Sequence, residues 1–139
     1  MKTIQTRFGE VEYDPENLLY FPAGMIGFPT LHEFIVMPNK KEGPLFWIQS
    51  VDEPEIAFVL TDPSNFFPKY HVAPDESEKN SLNITADDDC YILSVVTVPP
   101  DQKITLNLAA PILFSPKTNR AIQTILEHGD YKSKTPLPS

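Results

Sequence analysis

The stretch that decides the fold is residues 45–62, "LFWIQSVDEPEIAFVLTD". Two runs of apolar and β-favouring residues, 45–51 and 55–62, are separated by the turn-forming "DEP". This is the pattern of a β-hairpin. Because both runs are nearly continuous in apolar residues, we expect two central strands that are buried on both faces. The hairpin therefore predicts a sheet at the centre of the protein.

Prolines extend the same interpretation to the rest of the chain. Fifteen of them are spread from Pro15 to Pro138, so helices of ordinary length have little room before about residue 75. Alternating and β-branched runs predict a hairpin around Gly9 and strands at 33–38, 90–98, 103–108 and 111–115. Residues 120–128 fit either a helix or a strand by periodicity, and the all-β context favours a strand.

The sequence therefore predicts an all-β fold, a small antiparallel and partly open β-barrel-like domain of roughly eight to ten strands. One or two short helical turns are expected. The better of them begins at Asp75, which can cap a helix that carries Glu76 and Glu78 in its first turn. We expect a single domain over residues 1–139, with 131–139 as a basic, proline-containing tail that is partly ordered at best.

Charge and composition exclude several classes of protein. The formal net charge is −8, with seven basic and 17 acidic residues before position 115 and four basic and two acidic residues after it. Such an acidic body repels nucleic-acid phosphates and suits a partner with a basic surface. No apolar run reaches membrane-spanning length, and "MKTIQTRFGE" is no secretory signal. Cys90, as the only cysteine, is interpreted as a small buried apolar residue, and we expect a cytoplasmic protein.

Catalytic and metal-binding patterns are absent from the sequence. The histidines His32, His71 and His128 are isolated from one another, and none has a second ligand at metal-binding spacing. Asp87–Asp89 lacks the spaced ligands of a calcium loop and is interpreted as a solvated turn. Gly24 and Gly27 form a lone GxxG without the Lys and Ser/Thr that phosphate binding needs. We therefore expect no enzyme, no metal and no cofactor.

Two apolar loops are candidate recognition surfaces. In "SNFFPKY", neighbouring Phe66 and Phe67 cannot both face inward on a strand, so exposure and burial in a one-turn coil remain equally open. The other loop is "LYFPAGMIGF", residues 19–28. Its proline and two glycines predict a tight turn, with Leu19, Phe21 and Phe28 pointing inward. That arrangement leaves Met25 and Ile26 at the tip.

Five motifs occur in register along nearly the whole chain. They are "LLYFPAGMIGF" at 18–28, "LFWIQSVDEPEIAFVLTDP" at 45–63, "FFPKY" at 66–70, "LNLAAPI" at 106–112 and "YKSKTPL" at 131–137. Together they resemble the family of the flagellar assembly factor FliW. The resemblance implies a small antiparallel β-barrel-like fold and a binding protein without catalytic activity. It also implies two partners, flagellin before its export and the RNA-binding translational regulator CsrA, whose sequestration relieves repression of flagellin mRNA.

Residue chemistry suggests which side chains would contact such partners. The apolar candidates are Phe66, Phe67, Tyr70, Met25 and Ile26, with the first three favoured because adjacent aromatics are harder to bury. The acidic candidates are Asp52, Glu53, Glu55, Asp75, Glu76 and Glu78. We expect a monomer when the protein is alone, although unpaired strand edges leave dimers open. The alternative function is a small barrel that binds a single-stranded nucleic acid or a small ligand, against which the acidic balance argues.

Overall fold

Short strands make up most of the molecule. The computed structural model describes residues 1–38, 44–85, 87–101, 103–126 and 131–138. Its strands are β1 (Lys2–Thr6), β2 (Gly9–Tyr13), β3 (Leu19–Tyr20), β4 (Glu33–Pro38), β5 (Leu45–Ser50), β6 (Ala57–Thr61), β7 (Tyr91–Thr97), β8 (Thr105–Leu106), β9 (Ile112–Ser115), β10 (Arg120–Gln123) and β11 (Thr135–Pro136). The all-β fold class is confirmed.

Helical structure in these ranges is short. It consists of the helix α1 (Glu76–Ser81) and 3-10 turns at Pro15–Asn17 and Pro63–Asn65. The predicted start of α1 is confirmed, because the Asp75 side chain accepts from the N–H of Glu78 while the Glu78 side chain accepts from the N–H of Asp75. This reciprocal pair is a capping box. No helix of the described ranges is long and apolar enough to cross a membrane.

Seven strands close into a ring. Strand β5 pairs with β4 and β6, β6 continues to β7, and β4 continues to β3. Strand β3 lies parallel to β10, which pairs with β9, and β9 returns to β7. The expected barrel is therefore present, and the seam that the sequence left open is paired. Closure is possible because β7 has seven residues: Tyr91–Leu93 pair with β9 while Val96 and Thr97 pair with β8.

The structure decides part of the segment 120–128, which fitted either a helix or a strand. Residues 120–123 form β10, so the strand interpretation of the 120–128 segment is confirmed there, whereas residues 127 and 128 lie outside the described residues.

The strand predicted at 103–108 is regular only at Thr105–Leu106. The tail pairs with that strand through Thr135 and Pro136, and the N–H of Leu108 donates to the carbonyl of Lys132 at 3.1 Å. The described part of the tail is thus held against the body.

The inside of the ring is a packed apolar core. Phe21, Phe34, Ile48, Leu60 and Ile112 are fully buried in one cluster, and the rings of Phe21 and Phe34 meet edge to face at 5.2 Å. Full burial of each such side chain stabilises the fold by roughly 1.5–3 kcal/mol. A ligand could not lie on the barrel axis without displacing these side chains.

A second apolar feature crosses the outside of the same strands, and we call it the outer row. It consists of Met37, Trp47, Val59, Val96 and Leu106, each paired with the next across β4 to β8. At the β7–β8 end, Val96 and Leu106 are buried beneath Phe66, Phe67 and Leu137. Strands β5 and β6 thus carry apolar side chains on both faces, but Trp47 and Val59 on the outer face are only half-buried, so the expected burial on both faces is not met there.

The β1–β2 hairpin forms a sheet of its own. Its register pairs Lys2 with Tyr13 and Thr6 with Gly9, and Gly9 has a φ of +92°, which glycine adopts without strain. From the turn of this hairpin, Phe8 reaches the ring of Trp47 on β5, with ring centroids 5.0 Å apart. The hairpin predicted around Gly9 is confirmed, and its turn lies beside the outer row.

Candidate functional site

The favoured apolar loop forms a surface groove, which we call the aromatic groove. Residues 66–70 line it together with Leu108 and Tyr131, and its volume is about 420 Å³. The local chain folds this way because Asp62 caps the 3-10 turn at Pro63–Asn65, accepting from the N–H of Ser64. The N–H groups of Phe66 and Phe67 then both donate to the carbonyl of Pro63, at 3.0 and 2.8 Å. The two phenylalanines therefore lie in a coil, where the alternation of a strand does not apply.

Phe66 and Phe67 combine the two roles that the sequence left open. Both are half-buried and pack against the cluster of Val96, Leu106 and Leu108. Both also line the aromatic groove. Each ring therefore covers the outer row with one part of its surface and presents the rest to the groove.

Tyr70 fixes the groove to a distant part of the chain. Its hydroxyl donates to the carbonyl oxygen of Leu108 at 2.7 Å, and its ring meets that of Tyr131 edge to face at 4.8 Å. Burial raises the pKa of Tyr70 above its ordinary value, and the nearby Tyr131 adds to the rise. The phenol is thus held protonated as a hydrogen-bond donor.

The structure corrects the expected arrangement of the 19–28 loop. Met25 is only 3% exposed and belongs to the barrel core, whereas Phe28 is exposed and rests on Phe58 at 5.3 Å. Met25 and Phe28 exchange backbone hydrogen bonds of 3.1 and 2.8 Å. This reversal turns the Met25 side chain inward and leaves Ile26 at the tip. The stretch is a structural turn, and Met25 is not available to a partner.

Gly24 makes that reversal possible. Its φ is +71°, and a Cβ added there would lie 2.6 Å from the carbonyl oxygens of Phe28 and Pro29. Gly27 has a φ of +86° with nothing close to its added Cβ. The N–H of Ile26 donates to the side chain of Gln123 at 2.9 Å. Gly24 and Gly27 therefore allow the backbone conformation of the turn.

Half of the acidic candidates are engaged within the chain. The Asp52 carboxylate accepts from the N–H groups of His32 and Glu33, at 2.9 and 3.1 Å, and so anchors the start of β4. Asp75 and Glu78 form the capping box of α1. All three carboxylates therefore accept hydrogen bonds from the backbone of this chain. The sequence predicted such a role for Asp75, as a helix cap, but not for Asp52.

The other acidic candidates, Glu53, Glu55 and Glu76, are exposed. Within the part of the chain that the structure describes, no hydrogen bond or ion pair engages their carboxylates. Glu53 and Glu55 line a cleft with Arg7. These three are the acids best placed to meet a basic partner.

The other polar residues singled out in the sequence are the histidines and the aspartates at 87–89. His32 stacks near Tyr20 at 6.1 Å, and its Nδ1 lies 2.8 Å from the carbonyl oxygen of Phe21. His128 lies outside the described residues. Asp88 accepts from the N–H of Thr85 and from Lys117, and these bonds lower its pKa. Among the described residues, no three His, Cys, Asp or Glu side chains form a metal-binding group.

Cys90 is half-buried against the cluster of Leu82, Ile84 and Leu113. Burial raises the pKa of its thiol, and the carboxylate of Glu78 adds to the rise. A raised pKa lowers the thiolate fraction and with it the reactivity. The side chain behaves as the packed apolar residue that the sequence suggested.

Sequence reasoning missed two walls of the aromatic groove. Leu108 follows β8 and Tyr131 opens the tail, 38 and 61 positions beyond Tyr70 in the sequence. Their motifs, "LNLAAPI" and "YKSKTPL", were recognised as family signals, but a motif does not indicate which motifs lie side by side. The pairing of β8 with β11, together with the hydrogen bond from the N–H of Leu108 to the carbonyl of Lys132, brings these two residues to the loop.

Comparison with known proteins gives one consistent result. The family model described as FliW protein matches residues 2–137. The flagellar assembly factor FliW of Syntrophotalea carbinolica is 65% identical over 138 residues, covering 99% of each chain. The flagellar assembly factor FliW 2 of Desulfotalea psychrophila is 65% identical over 139 residues, covering 100% of this chain and 92% of that one. A crystal structure of the flagellar assembly factor FliW superposes with a TM-score of 0.89 at 29% identity, covering 99% of this chain and 98% of the other.

Proposed function

This chain belongs to the FliW family of flagellar assembly factors, and from that membership we propose that it binds flagellin in the cytoplasm before export. We propose further that it captures the translational regulator CsrA when flagellin has left, which relieves repression of flagellin mRNA. A role in flagellar assembly follows from the family itself. The family is one of assembly factors and is not a known enzyme family.

The aromatic groove is the observation that supports flagellin capture. Phe66, Phe67 and Tyr70 are large side chains partly exposed in a concave surface of about 420 Å³. Aromatic residues in such positions commonly supply most of the binding energy of an interface. Flagellin termini are amphipathic helices in the assembled filament, and such segments bind by laying their apolar face in a groove. Residues 66–70 are therefore the proposed flagellin contact.

The acidic surface supports CsrA capture. A protein that binds RNA carries basic surface, and a chain of net charge −8 attracts such a surface during encounter. Glu53, Glu55 and Glu76 are the exposed carboxylates among the candidates. We propose that these three contribute to CsrA association, and that Asp52, Asp75 and Glu78 act indirectly by fixing the local backbone.

Size-exclusion chromatography tests the proposal directly. The protein mixed with flagellin, and separately with CsrA, should elute as a stoichiometric complex at micromolar concentrations and low salt. Higher salt should slow association with CsrA more than with flagellin, because charge attraction is screened while apolar contact is not. Failure to form either complex would contradict the proposal.

A further inference from the structure

Within the described ranges, the outer row is covered at one end and half-exposed in the middle. Phe66, Phe67 and Leu137 cover it at Val96 and Leu106. Towards β5 it enters a groove of about 560 Å³, which we call the open groove. Its lining includes Arg7, Leu45, Trp47, Val59, Val96 and Val98. Among the described residues, the same apolar row is therefore packed at one end by Phe66, Phe67 and Leu137. Around Trp47 and Val59 it stays half-exposed, beside Phe8 and Arg7.

Arg7 stands at the edge of the open groove. Its guanidinium carbon lies 5.5 Å from the centre of the Phe8 ring and 5.7 Å from that of Trp47. Stacking on aromatic rings occupies the flat face of a guanidinium and leaves the N–H groups on its edge available. In the described ranges, no hydrogen bond or ion pair involves the Arg7 side chain. The exposed Glu53 and Glu55 line a neighbouring cleft with Arg7. A positive charge with directed donors thus lies between these two carboxylates and an apolar surface.

We propose that the open groove is a second docking surface, which takes a protein segment carrying a few aliphatic or aromatic side chains and one carboxylate. The chain itself shows which chemistry fits the row, because its own phenylalanines and a leucine cover the neighbouring part. The carboxylate in the proposed segment follows from the charge of Arg7, because a guanidinium binds a carboxylate through two parallel hydrogen bonds. A second copy of this chain is disfavoured as occupant because it would bring a further net charge of −8, whereas a short segment with one carboxylate brings a single negative charge.

This surface goes beyond the proposed function. It lies on β5, β6 and β7, whereas the aromatic groove is built from the 66–70 loop, Leu108 and Tyr131. Its preference also differs, because Arg7 selects an acidic group. A segment could therefore occupy the open groove while the aromatic groove is filled.

Trp47 provides the readout, because it is the only tryptophan in the chain and lines the open groove. The probes are two amphipathic helical peptides of about 16 residues, with leucines on one face and either Glu or Gln beside them. Titration of the Glu peptide should give a saturable change in Trp47 fluorescence. The Gln peptide should bind about tenfold more weakly, as expected when a charge-assisted hydrogen bond is lost.

Arg7→Gln should weaken the Glu peptide about tenfold and leave the Gln peptide unchanged. Arg120→Gln is the matched control, because the second of the two arginines is also stacked on a ring, that of Tyr20 at 5.3 Å. Equal binding of the two peptides, an equal loss in both arginine variants, or no saturable change would overturn the proposal.

Two further measurements keep the test decisive. If Arg7→Gln has a lower melting temperature than the original protein, the peptide titrations are repeated with Val98→Glu instead. Val98 is 47% exposed and lies beyond the end of β7. The added carboxylate should weaken the Glu peptide more than the Gln peptide, a difference that a folding defect would not produce. Light scattering on the unmixed protein should give a monomer, and a dimer abolished by Val98→Glu would identify a second copy as the occupant and overturn the proposal.

Discussion

The hydroxyl of Tyr70 donates a 2.7 Å hydrogen bond to the carbonyl oxygen of Leu108, 38 residues further along the chain. The bond joins the 66–70 loop to the bend between β8 and β9, outside the barrel. Leu108 in turn donates its N–H to Lys132 in the tail. Three distant segments are thus fixed together around the aromatic groove, and its shape depends on all of them.

Tyr70→Phe should change both the stability and its dependence on pH. Removal of the hydroxyl should lower the free energy of unfolding by about 1 kcal/mol near neutral pH. Because folding raises the pKa of Tyr70, the unfolded chain loses the phenolic proton first. The stability that the phenol contributes is present below about pH 10 and is lost as the pH rises towards the folded pKa. Urea denaturation from about pH 8 to about pH 11 would measure this.

The control for that series is Tyr91→Phe, which removes a hydroxyl from a tyrosine that is 53% exposed. It should retain the alkaline loss of stability of the original protein, whereas Tyr70→Phe should show less of it. Equal slopes for Tyr70→Phe and the original protein would contradict the buried donor.

Phe67→Ala should weaken flagellin binding by about 1–3 kcal/mol if the ring is an anchor of the aromatic groove. Since the ring is only half-buried, the loss of stability should stay below the roughly 3–5 kcal/mol of a fully buried phenylalanine. Isothermal titration calorimetry and chemical denaturation on the same variant separate the two effects. Phe66→Ala should behave in the same way.

Phe28→Ala is the comparison for those variants, because Phe28 is an exposed aromatic on the other candidate loop. It should leave flagellin binding close to that of the original protein. If Phe28→Ala weakens binding while Phe67→Ala does not, the flagellin contact is at the 19–28 loop, and the assignment to the aromatic groove is wrong.

Gly24→Ala should destabilise the fold more than Gly27→Ala does. Both glycines have positive φ, which costs a residue with a Cβ about 1–2 kcal/mol. At Gly24 the new Cβ would also lie 2.6 Å from two backbone carbonyl oxygens, whereas at Gly27 it meets nothing within 4 Å. Thermal denaturation of the two variants gives the difference, and equal melting temperatures would show that the turn relaxes around the added methyl group.

Glu76→Gln and Asp75→Ala should separate surface charge from helix capping. Glu76→Gln should slow CsrA association, because it removes an exposed charge, and it should lower stability less than Asp75→Ala does, because Glu76 only complements the helix dipole in the first turn of α1. Asp75→Ala should lower stability by about 1 kcal/mol, because it removes the cap of α1. Stopped-flow association and denaturation measure the two quantities. A stability loss in Glu76→Gln as large as that in Asp75→Ala would contradict the division.

Local patterns were sufficient for much of the fold. The apolar runs of 45–51 and 55–62 became β5 and β6, and the acidic start at Asp75 became a capped helix. These features depend on residues close in sequence, through alternation, turn chemistry and capping. The five motifs in register also indicated the family, which the family model and the 65% identical relatives confirm.

The sequence by itself thus determined most of the strands, the all-β class and the family, because each is encoded in neighbouring or regularly spaced residues. The two-residue strands β3 and β11 were not predicted. Only the tertiary structure decided that Met25 is buried while Phe28 is exposed, and that Asp52 is engaged by His32 and Glu33. It also decided that β7 closes the barrel while Tyr70, Leu108 and Tyr131 meet in one groove. Burial and hydrogen-bond partners are set by residues far apart in the chain, and no local pattern specifies which of them come together.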